Sequence, residues 1–480
     1  MANAAVRLAP DWLVNVGKSM HFFSLGAGRA DKAALLVGVG TTVFIIAVVA
    51  GLASRRSDRT GRRILAATGL VGLAAVWTAP SFKSTDLLAP LAALALGSLA
   101  FRWLHHLARA AAQPPESTSS GAAMARRSLL ITAGTGVGAV VAGGVGQLLH
   151  AGIDLSEDRE QVRRSVQIAI KRFPAPPLPG GAAFVSDGTP PFITANTDFY
   201  RIDTALSVPT LAASDWRLRI HGLVDNPLSL KFADLLNLPL LHKTITMTCV
   251  SNIVGGGLVS SANFLGVDLR SVLGEVGIRP GADQLLSSSA DGWSAGTPID
   301  VVMEMDRGAM LAFAMNGEPL PPEHGYPVRM IVPGLYGYVS ATKWLVDLEL
   351  TTFARQAYWV KRNWAARAPI KTQSRIDRPQ ELDQVRAGQL VVAGVAWAQH
   401  RGIEKVEVRV DGGAWQTAQL TTEVTSDTWR MWRTTINISP GTHLVESRAT
   451  DKTGLTQTPV RTDPVPDGAS GWPRVTFTAV

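Results

Sequence analysis

Four apolar runs fill the first third of the chain: Ala33 to Ala53, Ile64 to Ala79, Leu87 to Leu104 and Leu129 to Leu149. The first and last have the ~20 residues that a helix needs to cross the hydrocarbon core of a bilayer. The second and third are near the lower limit of that length, and for these two a re-entrant or interfacial hairpin is the alternative. Pro90 falls in the first turn of the third, where proline is tolerated. Arg102 lies close to its end, where it can snorkel. The runs predict a four-helix transmembrane anchor over 33–150, preceded by an N-terminal extracytoplasmic segment, 1–32.

Basic residues orient this anchor. Arg55, Arg56, Arg59, Arg62 and Arg63 stand between the first two runs, and Arg109, Arg126 and Arg127 between the last two. By the positive-inside rule those loops are cytoplasmic, so both termini lie outside and everything after His150 is extracytoplasmic. Trp77 and Trp103 near helix ends fit an aromatic belt. The expectation is a multi-pass protein of the cell membrane with lipid as one partner. The glycines Gly134, Gly136 and Gly138 sit within an apolar run with no preceding strand, which points to helix packing and not to a phosphate loop. His21, His105, His106 and His150 lie outside the helix cores, which argues against a haem clamped between spans.

The charge distribution excludes one class of partner. Residues 1–150 hold 14 basic and 5 acidic side chains, leaving 32 basic and 33 acidic in the remainder. The high pI therefore belongs to the N-terminal third and does not indicate nucleic-acid binding. A single cysteine, Cys249, rules out an internal disulfide framework and a zinc site built from several thiolates.

The 480 residues of the chain exceed what one core holds, since domains run to ~100–200 residues. A charged stretch with Val162, Val166 and Ile170 at helical spacing runs into PAPPLPGG, giving a helical and proline-rich linker over 151–181. Strand-like runs at 216–222, 243–249 and 328–333 alternate with short helical stretches without βαβ regularity, so an α+β domain is expected over 182–358. Within 359–480 the texture changes from Leu390 on, where short strands recur with turn signals. In one of them Val406, Val408 and Val410 alternate with Glu407 and Arg409 ahead of Asp411-Gly412-Gly413. An Ig-like β-sandwich is expected there.

Cys249 ends a strand in TMTCVSN, and taken alone it reads as a small buried hydrophobe. Other segments change that reading. TCVSN is followed by LGVDLRSVL (265–273), SSADGW (288–293), MNGEPLPPEHGYPVRMIVPGLYGY (315–338) and SATKWL (340–345). Together these resemble the sulfite oxidase family of molybdenum-cofactor enzymes, over roughly 182–480. The string NGEPLPPEHGYPVR is the specific part, and the sandwich resembles the family's dimerisation domain.

The resemblance implies roles for particular residues. Cys249 matches the cysteine whose thiolate binds molybdenum, a soft ligand for a metal held by the dithiolene sulfurs of a molybdopterin. His324, Arg329 and Lys343, with Ser340 and Thr342, match positions that hold the pterin and its phosphate. Asn196 and Asp291 match positions near the pterin ring. Arg401 matches a pocket arginine given by the sandwich, and Trp364 stands where the active-site tyrosine is expected. The family's sulfite enzymes carry an arginine five residues after the metal cysteine, where Val254 stands here, and another where Thr194 and Ala195 stand. The expected activity is oxygen-atom transfer on a small substrate other than sulfite, with electrons leaving to a separate cytochrome or quinone acceptor and a homodimer forming through the C-terminal domain. The alternatives are a reductase of sulfoxides or N-oxides and a cofactor-free, membrane-anchored binding protein. Arg126-Arg127 before the fourth run resembles a twin-arginine export signal.

Overall fold

The computed structural model describes residues 41–42, 45–54, 57–77, 87–111, 155–184, 188–205 and 207–480. The chain divides into two compact units, one of 1–156 with 204–210 and one of 157–203 with 211–480.

In the first unit, helix α1 (Asp58–Trp77) lies against helix α2 (Leu88–Ala111). Gly69 permits the contact, since a Cβ there would meet Leu94 Cδ1 at 2.4 Å. Among the described residues no helix is long and apolar enough to cross a membrane. This corrects the expected anchor, and the helix bounds give the reason. Helix α1 begins at Asp58 and takes Arg59, Arg62 and Arg63 into its own first turns, where the sequence suggested a cytoplasmic loop. Its uncharged part, Ile64 to Trp77, is 14 residues, about 21 Å against the ~30 Å of the hydrocarbon core. Helix α2 likewise has 14 uncharged residues from Leu88 to Phe101 before Arg102, His105, His106 and Arg109 enter the same helix. Residues 33–40, 43 and 44 of the first run, all of the fourth, and Arg126-Arg127 lie outside the described residues. With no spanning helix among the described residues, the multi-pass membrane location, the lipid partner and the extracytoplasmic placement of the catalytic part are not supported.

The second unit opens with helix α3 (Ser156–Arg172), which buries Val162, Val166 and Ala169. Asp158 in its first turn accepts hydrogen bonds from the Ala213 and Ser214 amides at 2.7 and 3.3 Å and from the Tyr326 hydroxyl at 2.6 Å.

Two sheets follow. The first has the order β2-β1-β10-β5-β6 and contains β1 (Arg217–Gly222), β2 (Leu228–Lys231), β5 (Gln284–Ser289), β6 (Ser294–Pro298) and β10 (Leu345–Thr351). Only β1 and β10 pair in parallel. The second has the order β3-β4-β7-β8, from β3 (Leu240–Thr248), β4 (Val259–Asp268), β7 (Met310–Met315) and β8 (Glu318–Pro319), with β9 (Arg329–Ile331) on β7. Mostly antiparallel pairing with short helices between strands is the α+β arrangement read from the sequence. Trp216, Phe264 and Phe313 are fully buried, which fixes the two sheets around one core.

The C-terminal part is a two-sheet sandwich. One sheet runs β11 (Gln373–Arg378), β13 (Gly388–Trp397), β17 (Arg430–Ile438) and β16 (Gln419–Leu420). The other runs β12 (Gln384–Val385), β19 (Arg474–Ala479), β18 (Gly441–Asp451), β14 (Ile403–Val410) and β15 (Gln416–Thr417). Val406 and Val408 point inward with Val392, Trp432, Val445, Ala449 and Phe477, as period-two alternation requires. Asp411 adopts φ 50° at the predicted turn.

Candidate active site

Cys249 directly follows β3 and remains partly accessible. Its amide donates to the Leu258 carbonyl at 3.0 Å, which closes the loop between β3 and β4. Burial pushes the thiol pKa up, while the Ser251 amide and hydroxyl and the Lys343 ammonium pull it down.

A cationic group stands close to this thiol. Arg329 begins β9 and is 4% exposed. One of its terminal nitrogens donates to the His324 carbonyl at 3.2 Å, while its Nε has no hydrogen-bond partner. No carboxylate among the described residues pairs with it. Burial lowers its pKa to about 10. Lys343 Nζ donates to Asp203 Oδ2 at 3.0 Å and to the Glu323 carbonyl at 3.1 Å. Burial brings its pKa down to about 8 although Asp203 acts in the opposite direction. Gly325 (φ 111°) lets the two cations converge, since a Cβ there would lie 3.1 Å from Lys343 Cα and 3.2 Å from Arg329 Cβ.

His324 is buried in the same turn, and its Nε2 lies 3.0 Å from the Asn196 carbonyl. Burial, and then the charges of Arg329 and Lys343, lower its pKa to about 4, so at neutral pH the ring is uncharged. A neutral ring bonded to a carbonyl through Nε2 carries its proton there. The Asn196 side-chain carbonyl is held by Asn316 Nδ2 at 2.9 Å. Asp291 caps its turn by accepting from the Trp293 amide at 3.0 Å, and burial raises its pKa.

Other expected site residues are occupied elsewhere. Ser340 Oγ donates to the Leu335 and Tyr336 carbonyls at 2.9 and 3.0 Å, and Thr342 Oγ1 bonds Ser287 Oγ at 2.6 Å. Both hydroxyls are committed within the fold. Arg401 is tied to Asp451 at 2.8 Å and to the Ile370 carbonyl and Thr372 Oγ1 at 2.9 and 3.1 Å. Trp364 is buried, with ring contacts to Tyr338 at 5.6 Å and Trp359 at 6.3 Å.

Three residues near Cys249 escaped the sequence reading. The Tyr200 hydroxyl is pushed up by burial and senses both Cys249 and Arg329. Tyr336, raised to about 12 mainly by burial, lies within electrostatic reach of both Cys249 and Arg401. Asp203 is the carboxylate partner of Lys343. Tyr200 and Asp203 follow Asn196 closely in NTDFYRID, and a charged pair beside two aromatic residues was the signal available. A separate trio, His221, Asp347 and Glu349, brings ligand atoms within 4.8 Å. Its carboxylates are already held by Arg219 and Arg355.

Comparison with known proteins extends this geometry. Residues 205–359 match the oxidoreductase molybdopterin binding domain, and residues 365–463 match the Mo-co oxidoreductase dimerisation domain. The uncharacterized oxidoreductase YuiH of Bacillus subtilis is 31% identical over 152 residues, 32% of this chain and 73% of that protein. The chain belongs to the sulfite oxidase family of molybdopterin oxidoreductases. Mitochondrial sulfite oxidase of Macaca fascicularis is 30% identical over 290 residues, 50% of this chain and 52% of that one. The chain thus spans about half the length of the mitochondrial sulfite oxidases it matches. Among solved structures, the sulfane dehydrogenase SoxCD of Paracoccus pantotrophus superimposes with a TM-score of 0.50 at 28% identity, covering 56% of this chain and 75% of that one.

The family's cofactor is the molybdenum cofactor, and the residues present fit it. A buried guanidinium with an unpartnered Nε, beside a buried ammonium and a thiol, is costly without an anion. A phosphate-bearing pterin with a thiophilic metal supplies what that donor set lacks.

Proposed function

We propose that this protein catalyses oxygen-atom transfer on a small substrate other than sulfite, using a molybdenum cofactor held by the Cys249 group. The observation that carries the reading is the buried Arg329, without a carboxylate partner, beside Lys343, His324 and Cys249. Bound there, the cofactor supplies a metal that exchanges an oxygen atom and two electrons with substrate.

Cys249 gives the metal a thiolate. Because burial holds its proton on, loading releases that proton, and the Ser251 donors and the Lys343 charge favour its departure. Arg329 offers a planar fork and Lys343 a point charge to the phosphate. Ser340 and Thr342 shape the segment that carries Lys343 and leave the anion to the two cations. Neutral His324, oriented through Asn196, whose side chain Asn316 fixes, would hold the pterin together with Asp291.

The substrate side is poor in free charge. Val254 is apolar, Thr194 and Ala195 carry none, and the guanidinium of Arg401 is matched by Asp451. Tyr200, Tyr336 and Trp364 supply aromatic walls and hydroxyl donors, which suits a less charged substrate than sulfite. Electrons leave to a separate acceptor. The match of 365–463 to a dimerisation domain supports a homodimer. The functional division would place catalysis in 182–358 and dimerisation in 359–480.

Purified protein is expected to carry about one molybdenum and one pterin per chain. Cys249→Ser replaces a soft thiolate by a poorly ionised hydroxyl, so turnover should collapse even where pterin is retained. Wild-type protein free of molybdenum, or full turnover by the serine variant, would refute the reading.

A further inference from the structure

Strand β3, which leads to Cys249, lies at the edge of its sheet. One edge pairs with β4, where Thr246 stands opposite Ser261 and Thr248 opposite Val259. An unpaired second edge would leave buried amides and carbonyls without partners, at a cost comparable to lost hydrogen bonds. The sandwich supplies those partners. The Thr246 amide donates to the Asp427 carbonyl at 2.9 Å, and the Trp429 amide donates to the Thr246 hydroxyl at 2.7 Å. Gln399, 1% exposed, donates through Nε2 to the Thr246 carbonyl at 2.9 Å and to the Thr248 hydroxyl at 3.0 Å.

Gln399 therefore spans the last turn of pleat before the thiol, bonding a main-chain acceptor three residues before Cys249 and a side-chain acceptor one residue before it. Its own Oε1 has no hydrogen-bond partner, so the side chain is committed as a donor. Gly334 (φ 85°) approaches this loop closely: a Cβ there would lie 3.2 Å from His400 Cβ and 3.6 Å from the Gln399 carbonyl. The neighbouring His400 is anchored on Asp427 at 3.0 Å, and Asp427 also holds Lys243 of β3 at 3.1 Å.

We infer that Gln399 is a positioning residue for Cys249, and that the sandwich completes the cysteine strand in addition to any part it has in dimerisation. This rests on the proposed role of Cys249 for its catalytic consequence, although the positioning itself concerns the thiol alone. In protein loaded with the cofactor, a thiol held at a fixed angle meets the metal without rearrangement. Freed from Gln399, the end of β3 frays and the thiol samples other directions.

The chain has one cysteine, so thiol chemistry reads Cys249 without ambiguity. Full-length protein prepared without the cofactor is alkylated with iodoacetamide at several low urea concentrations. Gln399→Met keeps the side-chain volume and removes both donors. It should speed alkylation roughly tenfold, the factor expected for leaving a buried carbonyl unpaired, and the increase should be independent of urea, as local fraying is. Thr248→Val, which removes one of the two acceptors and keeps shape, should give a smaller increase and serves if the methionine variant does not fold. Arg409→Ala, on the other sheet of the sandwich, should alkylate as wild type.

In loaded protein the methionine variant should also shift the thiolate-to-metal absorption band. Wild-type alkylation rates in both Gln399→Met and Thr248→Val would overturn the inference. So would an increase that grows with urea as global unfolding does, or an equal increase in Arg409→Ala. Absence of molybdenum from wild-type protein would instead count against the proposed function and leave the alkylation result standing.

Discussion

Arg329 and Arg401 are both arginines that the sequence assigned to one site, and the fold treats them in opposite ways. Arg401 in the sandwich meets the fully buried Asp451 at 2.8 Å through Nε and donates from Nη2 to the Ile370 carbonyl and Thr372. Burial works against the Asp451 charge, but hydrogen bonds from Thr372, Thr453 and Arg401 outweigh it and hold the carboxyl at about 2. Arg329 is buried with its Nε unpartnered and burial dragging its pKa down. One arginine is part of a finished structure; the other is half of an interaction. The difference separates a cation matched within the fold from one that, under the proposed function, is left for the anion of the cofactor.

The largest consequence concerns sulfite. If the charge of Arg401 is neutralised and Val254 and Thr194-Ala195 offer none, two charge-assisted hydrogen bonds at ~1.5–3 kcal/mol each are missing. Sulfite should then lose roughly 10²–10⁴ in kcat/KM. Steady-state kinetics giving about 10⁶ M⁻¹s⁻¹ on sulfite, within the ordinary enzyme range, would break the contrast between the two arginines.

Next comes Asp451. Asp451→Ala leaves Arg401 without its counter-charge and should cost about 3–5 kcal/mol, as breaking a buried pair does. Urea denaturation of cofactor-free protein checks this, and a loss below ~1 kcal/mol would mean that Arg401 is free to serve the substrate pocket after all.

The pH dependence sharpens the other half. His324 titrates near 4 in the folded chain because of burial and the charges of Arg329 and Lys343, against ~6.5 unfolded. Its neutral form is the one the fold accepts, so its contribution is fully present above pH ~6.5. As pH falls towards 4 that contribution is lost, up to roughly 3 kcal/mol. His324→Gln should flatten this part of the stability profile of cofactor-free protein, and parallel profiles for wild type and variant would show that the ring does not feel those cations.

The smallest effect is expected at Arg329 itself. Arg329→Met removes a buried charge without a carboxylate partner, so cofactor-free stability should hold or rise. Cofactor retention should fall by ~1.5–3 kcal/mol, the worth of a hydrogen bond to a charged group. Molybdenum content after dialysis and the urea midpoint separate the two readouts. A large loss of stability would place Arg329 in the same class as Arg401.

The sequence carried much of this, unevenly. The sandwich was readable because inward valines alternate along β14 and a turn follows. The proposed cofactor-holding residues were legible because His324 and Arg329 stand in one resembling string and Lys343 in the next. Tyr200, Asp203 and Gln399 were not, because each matters through a contact far away in the chain: Asp203 meets Lys343 140 residues on, and Gln399 reaches Thr246 across 153. The apolar runs misled for a local reason. Arginines beside a hydrophobic stretch look like a loop until the helix absorbs them, as α1 does with Arg59, Arg62 and Arg63.

The edge of β3 has a consequence for the timing of assembly. Thr246 takes its hydrogen bond from Trp429, 183 residues further along the chain. A ribosome translating this message exposes the cysteine strand long before it makes the residues that cover it. The strand that leads to Cys249 is therefore covered only once Asp427 and Trp429 have been made. Nascent chains stalled before Asp427 are expected to alkylate at Cys249 as fast as denatured protein, and released chains to be protected.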